Sequence, residues 1–251
     1  MGKRIIVTGG GTGIGRAIAA RLAPQATELV LVGRRASVLE QAAQELERGP
    51  DTGLAVRTAP CDLSDPAAVT VLAEQLRQGP TVDVLVANAG GNRGHAVGGG
   101  LAEVAEGWRA DFDANVLTAV LLTEGLREHL TRPGGRVVAI SSIAALRGSG
   151  SYGAAKAALN AWVLSLATSL APDGITVNAV APGFVPETPF WQARVAADPE
   201  VYRSRVAATP AGRAGTPAEV AAAVAHLASE EAGWTTGQIL QVNGGALLGR
   251  G

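Results

Sequence analysis

Short runs of β-branched residues and leucine alternate with alanine-rich stretches of helical period from one end of the chain to the other. The apolar runs predict strands at Arg4–Val7, Glu28–Val32, Leu54–Thr58, Val82–Ala87, Arg136–Ser141, Ile175–Val180 and Gln238–Val242. Between them the pattern predicts helices near Gly13–Leu22, Ser37–Glu47, Pro66–Arg77, Gly107–His129, Tyr152–Ala171 and Pro217–Ser229. Two of these have readable starts: Ser64-Asp65-Pro66 and Thr216-Pro217-Ala218-Glu219 each place a side-chain acceptor ahead of a proline in the first turn. The strands are near-continuous apolar runs, as expected where both faces of a sheet are covered. Such alternation implies right-handed βαβ units, hence an α/β fold with a doubly wound parallel sheet of about seven strands and helices on both faces. No repeat, low-complexity linker or composition break interrupts the pattern, so residues 1–251 are expected to form one domain.

Two segments depart from the alternation. Ala89–Gly100, with its glycines, predicts a loop at the carboxyl end of the fourth strand. Pro182–Gly215 is punctuated by prolines and gathers Phe184, Phe190, Trp191 and Tyr202 in a chain that is only 4% aromatic. In an open α/β sheet, ligands bind outside the carboxyl ends of the strands, so an insertion around 184–215 is expected to cover a substrate. A subunit-contact arm is the alternative. The formal net charge of −1, without a basic stripe or acidic tail, argues against nucleic acid or an anionic membrane as partner. No apolar run approaches the ~18 residues of a membrane span, and the chain enters a strand with no leader, so a cytoplasmic location is expected. The lone Cys61 gives no disulfide framework, and His95, His129 and His226 lack ligand spacing, so no metal is expected.

The first strand leads into Thr8-Gly9-Gly10-Gly11-Thr12-Gly13-Ile14-Gly15 and then a helix, an arrangement that lets backbone amides approach a pyrophosphate. Its spacing matches neither G-x-G-x-x-G nor a P-loop. The second strand runs out through Leu31-Val32 into Gly33, Arg34 and Arg35, where an acidic residue would hold a free ribose 2′-hydroxyl. Guanidinium suits a 2′-phosphate, so NADP(H) is expected before NAD(H), with Arg16 as a further contact. Tyr152 and Lys156 each belong to a residue type that occurs twice in the chain, and they stand four apart in a predicted helix. A cation on the same helix face would favour the phenolate and make the tyrosine a proton donor and acceptor. On the pair alone, a surface tyrosine packed over a lysine stem stays equally open.

Together these features resemble the short-chain dehydrogenase/reductase family, and the resemblance covers essentially the whole chain, with members that act on 3-oxoacyl groups the nearest in kind. Thr8-Gly9-x3-Gly13-x-Gly15 resembles the cofactor motif, including Thr12 and Ile14. Cys61-Asp62-Leu63 resembles the adenine-contacting segment, and Asn88-Ala89-Gly90 the sheet-stabilising motif, with Ala87 where a second asparagine is common. Asn115, Ser142, Tyr152 and Lys156 match the catalytic set, and Pro182-Gly183 through Val185 to Thr188 the nicotinamide-contacting segment. Gly237-Gln238 and Val242-Asn243-Gly244-Gly245 resemble the last strand and turn.

The resemblance implies a Rossmann-like NAD(P)-binding fold in which Tyr152 exchanges a proton with a carbonyl or alcohol. Lys156 would lower the tyrosine pKa and hold the nicotinamide ribose, Ser142 would bind the substrate oxygen, and Asn115 would hold Lys156 through a water. It implies NADPH-dependent reduction of a ketone to a secondary alcohol, on a 3-oxoacyl or polyketide-like substrate. An NAD-dependent alcohol or polyol dehydrogenase and a non-catalytic NADP(H)-binding regulator are the alternatives. A homotetramer or dimer is expected. Ser142 precedes Tyr152 by fewer residues than is common in the family, which leaves Ser141 as a second candidate hydroxyl. Substrate contacts are expected from Asn92, Arg93, His95, Ser142, Phe184, Phe190 and Trp191.

Overall fold

In the computed structural model, which describes residues 2–49, 53–93 and 100–249, seven strands form one parallel sheet. They are β1 (Lys3–Thr8), β2 (Ala26–Gly33), β3 (Ala55–Pro60), β4 (Val84–Ala87), β5 (Arg136–Ile140), β6 (Thr176–Pro182) and β7 (Ile239–Val242). Their order is β3-β2-β1-β4-β5-β6-β7, so the winding reverses between β1 and β4. That reversal opens a crevice at the carboxyl ends of β1 and β4.

The sheet is covered by α1 (Gly13–Leu22), α2 (Ala36–Glu47), α3 (Pro66–Arg77), α4 (Leu101–Phe112), α5 (Thr118–Leu126), α6 (Ala144–Arg147), α7 (Gly150–Leu170), α8 (Pro189–Ala197), α9 (Pro199–Ala207) and α10 (Pro217–Leu227). Ile6 of β1 turns to a core shared with Val30, Leu85 and Val137, closed by Leu72 of α3, Leu122 of α5 and Val163 of α7. Its neighbours Ile5 and Val7 turn to a second core with Leu29, Leu31 and Val86, closed by Ile18 of α1, Leu39 of α2 and Val224 of α10. Two buried faces explain why the strand sequences are apolar throughout.

Both expected caps form. Asp65 accepts the amide of Ala67 at 2.9 Å, and Thr216 with Glu219 makes a reciprocal capping box on α10.

Three stretches differ from the expected pattern. β4 starts at Val84, because the Asp83 carboxylate accepts the amide of Arg4 at 2.8 Å and the hydroxyl of Thr131 at 2.7 Å, leaving Val82 in an isolated bridge to Leu130. The helix expected from Gly107 begins at Leu101 and is interrupted by a π-helical turn, Asp113–Leu117, before α5. The insertion folds into α8 and α9, with Pro189 and Pro199 in their first turns, where a missing N–H removes no helical bond. Leu101, Val104, Trp108 and Phe112 leave an apolar stripe exposed along α4. No described helix is long and apolar enough to cross a membrane, and no group of three or more metal-ligating side chains occurs among the described residues.

Candidate active site

The glycine turn after β1 sits at the crevice. Gly9 takes φ +64°, and a β-carbon on Gly15 would collide with the Gly9 carbonyl and the Asn88 side chain. The Thr8 hydroxyl accepts the amides of Asn88 at 2.9 Å and Ala89 at 2.8 Å, while the Asn88 amide donates to the Thr8 carbonyl at 2.8 Å. These bonds fix the end of β4 against the end of β1. Because Gly15 faces backbone that cannot rotate away, Gly15→Ala is expected to cost about 1–3 kcal/mol and several degrees of Tm, with weakened dinucleotide binding. Thermal unfolding with and without dinucleotide checks this.

Two clefts flank the turn. The first, about 380 Å³, is lined by Gly9, Thr12, Arg34, Arg35, Asp62, Leu63 and Arg93. Asp62 accepts the hydroxyl of Ser64 at 2.7 Å and its amide at 3.0 Å, and these bonds hold its carboxyl below the ordinary value. Arg34 and Arg35 are exposed, with no ion pair among the described residues. Two expectations are corrected here. Arg16 pairs with Glu45 on the α1–α2 surface and does not line the cleft. Arg93, expected at the substrate, instead faces the cleft of Arg34 and Asp62: Asp111 accepts its amide at 2.7 Å, and the charge of Asp62 attracts its side chain.

The second cleft, about 350 Å³, opens at the carboxyl ends of β4, β5 and β6. It brings together Ser142, Tyr152 and Lys156 with Asn88, Asn92, Pro182, Gly183, Val185 and Thr188. Gly13 and Ile14 line its wall, and a β-carbon on Gly13 would touch Thr188 and Pro189. Phe184, Phe190 and Trp191 enclose it from the insertion, with Phe184 edge-on to Trp191 at 5.0 Å and Phe190 against Tyr152 at 5.5 Å. His95 lies outside the described residues.

The geometry separates the two serines. Ser141 is buried and its hydroxyl is taken up by a hydrogen bond to Asn160 at 2.6 Å. Ser142 accepts the amide of Ala144 at 3.1 Å and lines the cleft together with Tyr152, whose pKa it lowers.

Lys156 is buried, and its ammonium donates to the Ile140 carbonyl at 2.8 Å. The sequence led us to expect a tyrosine made acidic by this lysine. Instead burial pushes the phenol up to about 12, with the charge of Asp111 adding to the rise and Ser142 and Arg194 opposing it. Burial also pulls Lys156 down to about 8. Desolvation is the largest cause at both groups.

Asn115 is fully enclosed in the π-helical turn. Its amide donates to the carbonyls of Gly91 and Asp111, both at 2.8 Å, and its oxygen accepts the amide of Gly91 at 3.1 Å. It therefore meets Lys156 through a shared neighbour: a β-carbon on Gly90 would lie 2.7 Å from Asn115 Oδ1 and 3.3 Å from Lys156 Nζ.

Sequence reasoning missed four side chains. Asp111 is completely buried and accepts the hydroxyl of Ser151 at 2.7 Å, joining the Tyr152 helix to the loop at Arg93. Its place four residues before Asn115 was the available signal. Arg147, Arg194 and Arg205, from α6, α8 and α9, also line the second cleft, and no pattern in the chain marks them.

A family profile described as enoyl-(acyl carrier protein) reductase matches residues 9–246. The 3-oxoacyl-[acyl-carrier-protein] reductase FabG of Escherichia coli strain K12 is 36% identical over 252 residues, covering 98% of either chain. Among solved structures, a short-chain type dehydrogenase/reductase from Mycobacterium ulcerans superposes with a TM-score of 0.88 at 30% identity, covering 100% of this chain and 93% of that one. The Pseudomonas aeruginosa RhlG/NADP active-site complex superposes with a TM-score of 0.86 at 31% identity, covering 98% of each.

Proposed function

Because the chain belongs to the short-chain dehydrogenase/reductase family and is an NAD(P)-dependent oxidoreductase, we propose that it reduces a ketone of the 3-oxoacyl or polyketide-like kind to a secondary alcohol, with NADPH as the preferred cofactor. The observation that carries this reading is the meeting of Ser142, Tyr152 and Lys156 in one cleft walled by the glycine turn. A bound NADPH would supply the hydride. A carbonyl oxygen placed between the two hydroxyls accepts a hydrogen bond from Ser142 and the proton of Tyr152. A phenol protonated at neutral pH is in the form that can give its proton to a carbonyl oxygen. Lys156 stabilises the phenolate left behind and offers its ammonium to the ribose hydroxyls, while Asn115 holds the loop at Gly91 over it. The exposed arginines at the first cleft support the 2′-phosphate preference, as do the NADP complexes among the structural relatives.

A spectrophotometric screen across ketone classes with NADPH and with NADH tests the reading. Ketone-dependent oxidation faster with NADPH supports it. Oxidation of alcohols with NAD alone, or dinucleotide binding without any turnover, overturns it. The lysine gives a second check. Its folded-state pKa of about 8 lies below the ordinary lysine value, so it sheds its proton as pH rises through about 8. An anionic cofactor favours the charged form, so NADPH binding near pH 8–9 is expected to take up protons, by roughly half a proton per site. Calorimetry in two buffers of different ionisation enthalpy measures that uptake, and Lys156→Met abolishes it.

The stripe of Leu101, Val104, Trp108 and Phe112 supports self-association, with a second copy covering α4. The same reading treats residues 1–251 as one dinucleotide-binding domain whose segment 184–215 covers the substrate.

A further inference from the structure

The second cleft has an uncompensated charge. Its described lining contains four cations, Arg147, Arg194, Arg205 and Lys156, and no carboxylate, although the whole chain carries a net charge of only −1. Lys156 is accounted for by the Ile140 carbonyl. The three arginines arrive from three separate helices and make no ion pair or side-chain hydrogen bond among the described residues. They are close enough to oppose one another: after burial, the charges of Arg147 and Arg194 are what disfavour the charged form of Arg205. Aromatic faces hold two of them in place. The Arg194 guanidinium stands 4.9 Å from the Phe190 ring centre and 5.6 Å from that of Trp191, and Arg205 stands 5.4 Å from Trp191.

The cluster is also near the chemistry. Phe190 bridges Arg194 to Tyr152, with rings 5.5 Å apart, and the Arg194 charge reaches the phenol. Like charges gathered in a concave, partly apolar site are stabilised when an anion enters, and planar guanidinium forks match a carboxylate.

Resting on the ketoreductase reading above, we propose that the substrate is itself an anion, a compact keto acid whose carboxylate is held by Arg194, Arg205 and Arg147 while its ketone meets Ser142 and Tyr152. The short path from the guanidinium to the phenol through one ring favours a carboxylate a few bonds from the ketone. A thioester on a long carrier arm would carry its phosphate too far away. The side chains that choose the substrate therefore come from α6, α8 and α9, outside the sheet and its glycine turn.

The test compares acetoacetate and benzoylpropionate with their methyl esters in NADPH-dependent turnover. Wild type is expected to favour each acid by about tenfold or more in kcat/KM, chiefly through KM, with the KM of the acid rising at higher salt. Arg194→Gln is expected to lower the acid-to-ester ratio about tenfold, and the double variant with Arg205→Gln further. An ester or carrier thioester used as well as the acid overturns the proposal but leaves the ketoreductase reading intact. So does a loss in NADPH affinity with the ratio unchanged, which would assign the arginines to the cofactor diphosphate. If no carbonyl is turned over, the ketoreductase reading itself fails. Calorimetric titration of benzoylpropionate into wild type and Arg194→Gln then decides the arginine site by itself: weaker binding to the variant upholds it, and equal or absent binding overturns it.

Discussion

Replacing Tyr152 with phenylalanine is expected to reduce ketone turnover by about a thousandfold or more while leaving NADPH affinity within a few-fold of wild type. General acid catalysis by a positioned group contributes roughly 10²–10⁴-fold, and Tyr152, which lines the cleft with Ser142, is the proposed proton donor. The substitution keeps the ring that packs against Phe190 at 5.5 Å, so the aromatic wall and the fold persist. Steady-state kinetics and a fluorescence titration with NADPH measure the two quantities. Turnover within a few-fold of wild type would remove Tyr152 from the chemistry. Ser142→Ala makes a useful companion, because it removes the second hydroxyl of the cleft yet leaves the phenol's proton in place.

Removing the side chain of Arg34 should weaken NADPH by about ten- to hundredfold and NADH by no more than two- or threefold. The basis is the proposed charge-assisted hydrogen bond to the 2′-phosphate, which would be worth about 1.5–3 kcal/mol and which NADH has no group to make. Arg34 is exposed and carries no ion pair among the described residues, so Arg34→Ala leaves no buried charge stranded. Arg35 lines the same cleft, and the double variant exposes any sharing between the two. Equal losses for both cofactors would show that the arginine contacts something common to them.

The fold was largely legible because its determinants are local. Each strand carries its own apolar run, the Asp65 and Thr216 caps are written within four residues, and parallel order follows from alternation. The candidate site was legible where spacing carries geometry: Tyr152 and Lys156 on one helix, Ser142 just after β5, and glycines where a β-carbon cannot fit. What stayed hidden depends on three-dimensional meeting. Arg147, Arg194 and Arg205 are spread over some sixty positions, and only the folded insertion brings them to one cleft. The prolines of that insertion read as interruptions, yet Pro189 and Pro199 start helices. Arg93 and Arg16 were misplaced for the same reason, since a charged side chain goes to whichever opposite charge the fold presents. The ionisation of Tyr152 and Lys156 also needed the structure, because burial has no signature in an i, i+4 spacing.

The π-helical turn at Asp113–Leu117 has a bearing on how this protein tolerates change over generations. Gly107, Asp111, Asn115, Ala119 and Thr123 are all buried and advance four residues at a time. In an unbroken α-helix such a column would wander by about 40° per turn. A wider turn takes up part of that drift and keeps the carboxylate of Asp111 and the amide of Asn115 on one line. Their alignment is thus a reading frame of the helix itself. Point substitutions elsewhere in α4 and α5 leave that frame alone, whereas loss of a single residue between 113 and 117 would swing one half about 100° against the other. The residue count of this helix is thereby tied to the site, whatever side chains its exposed positions carry.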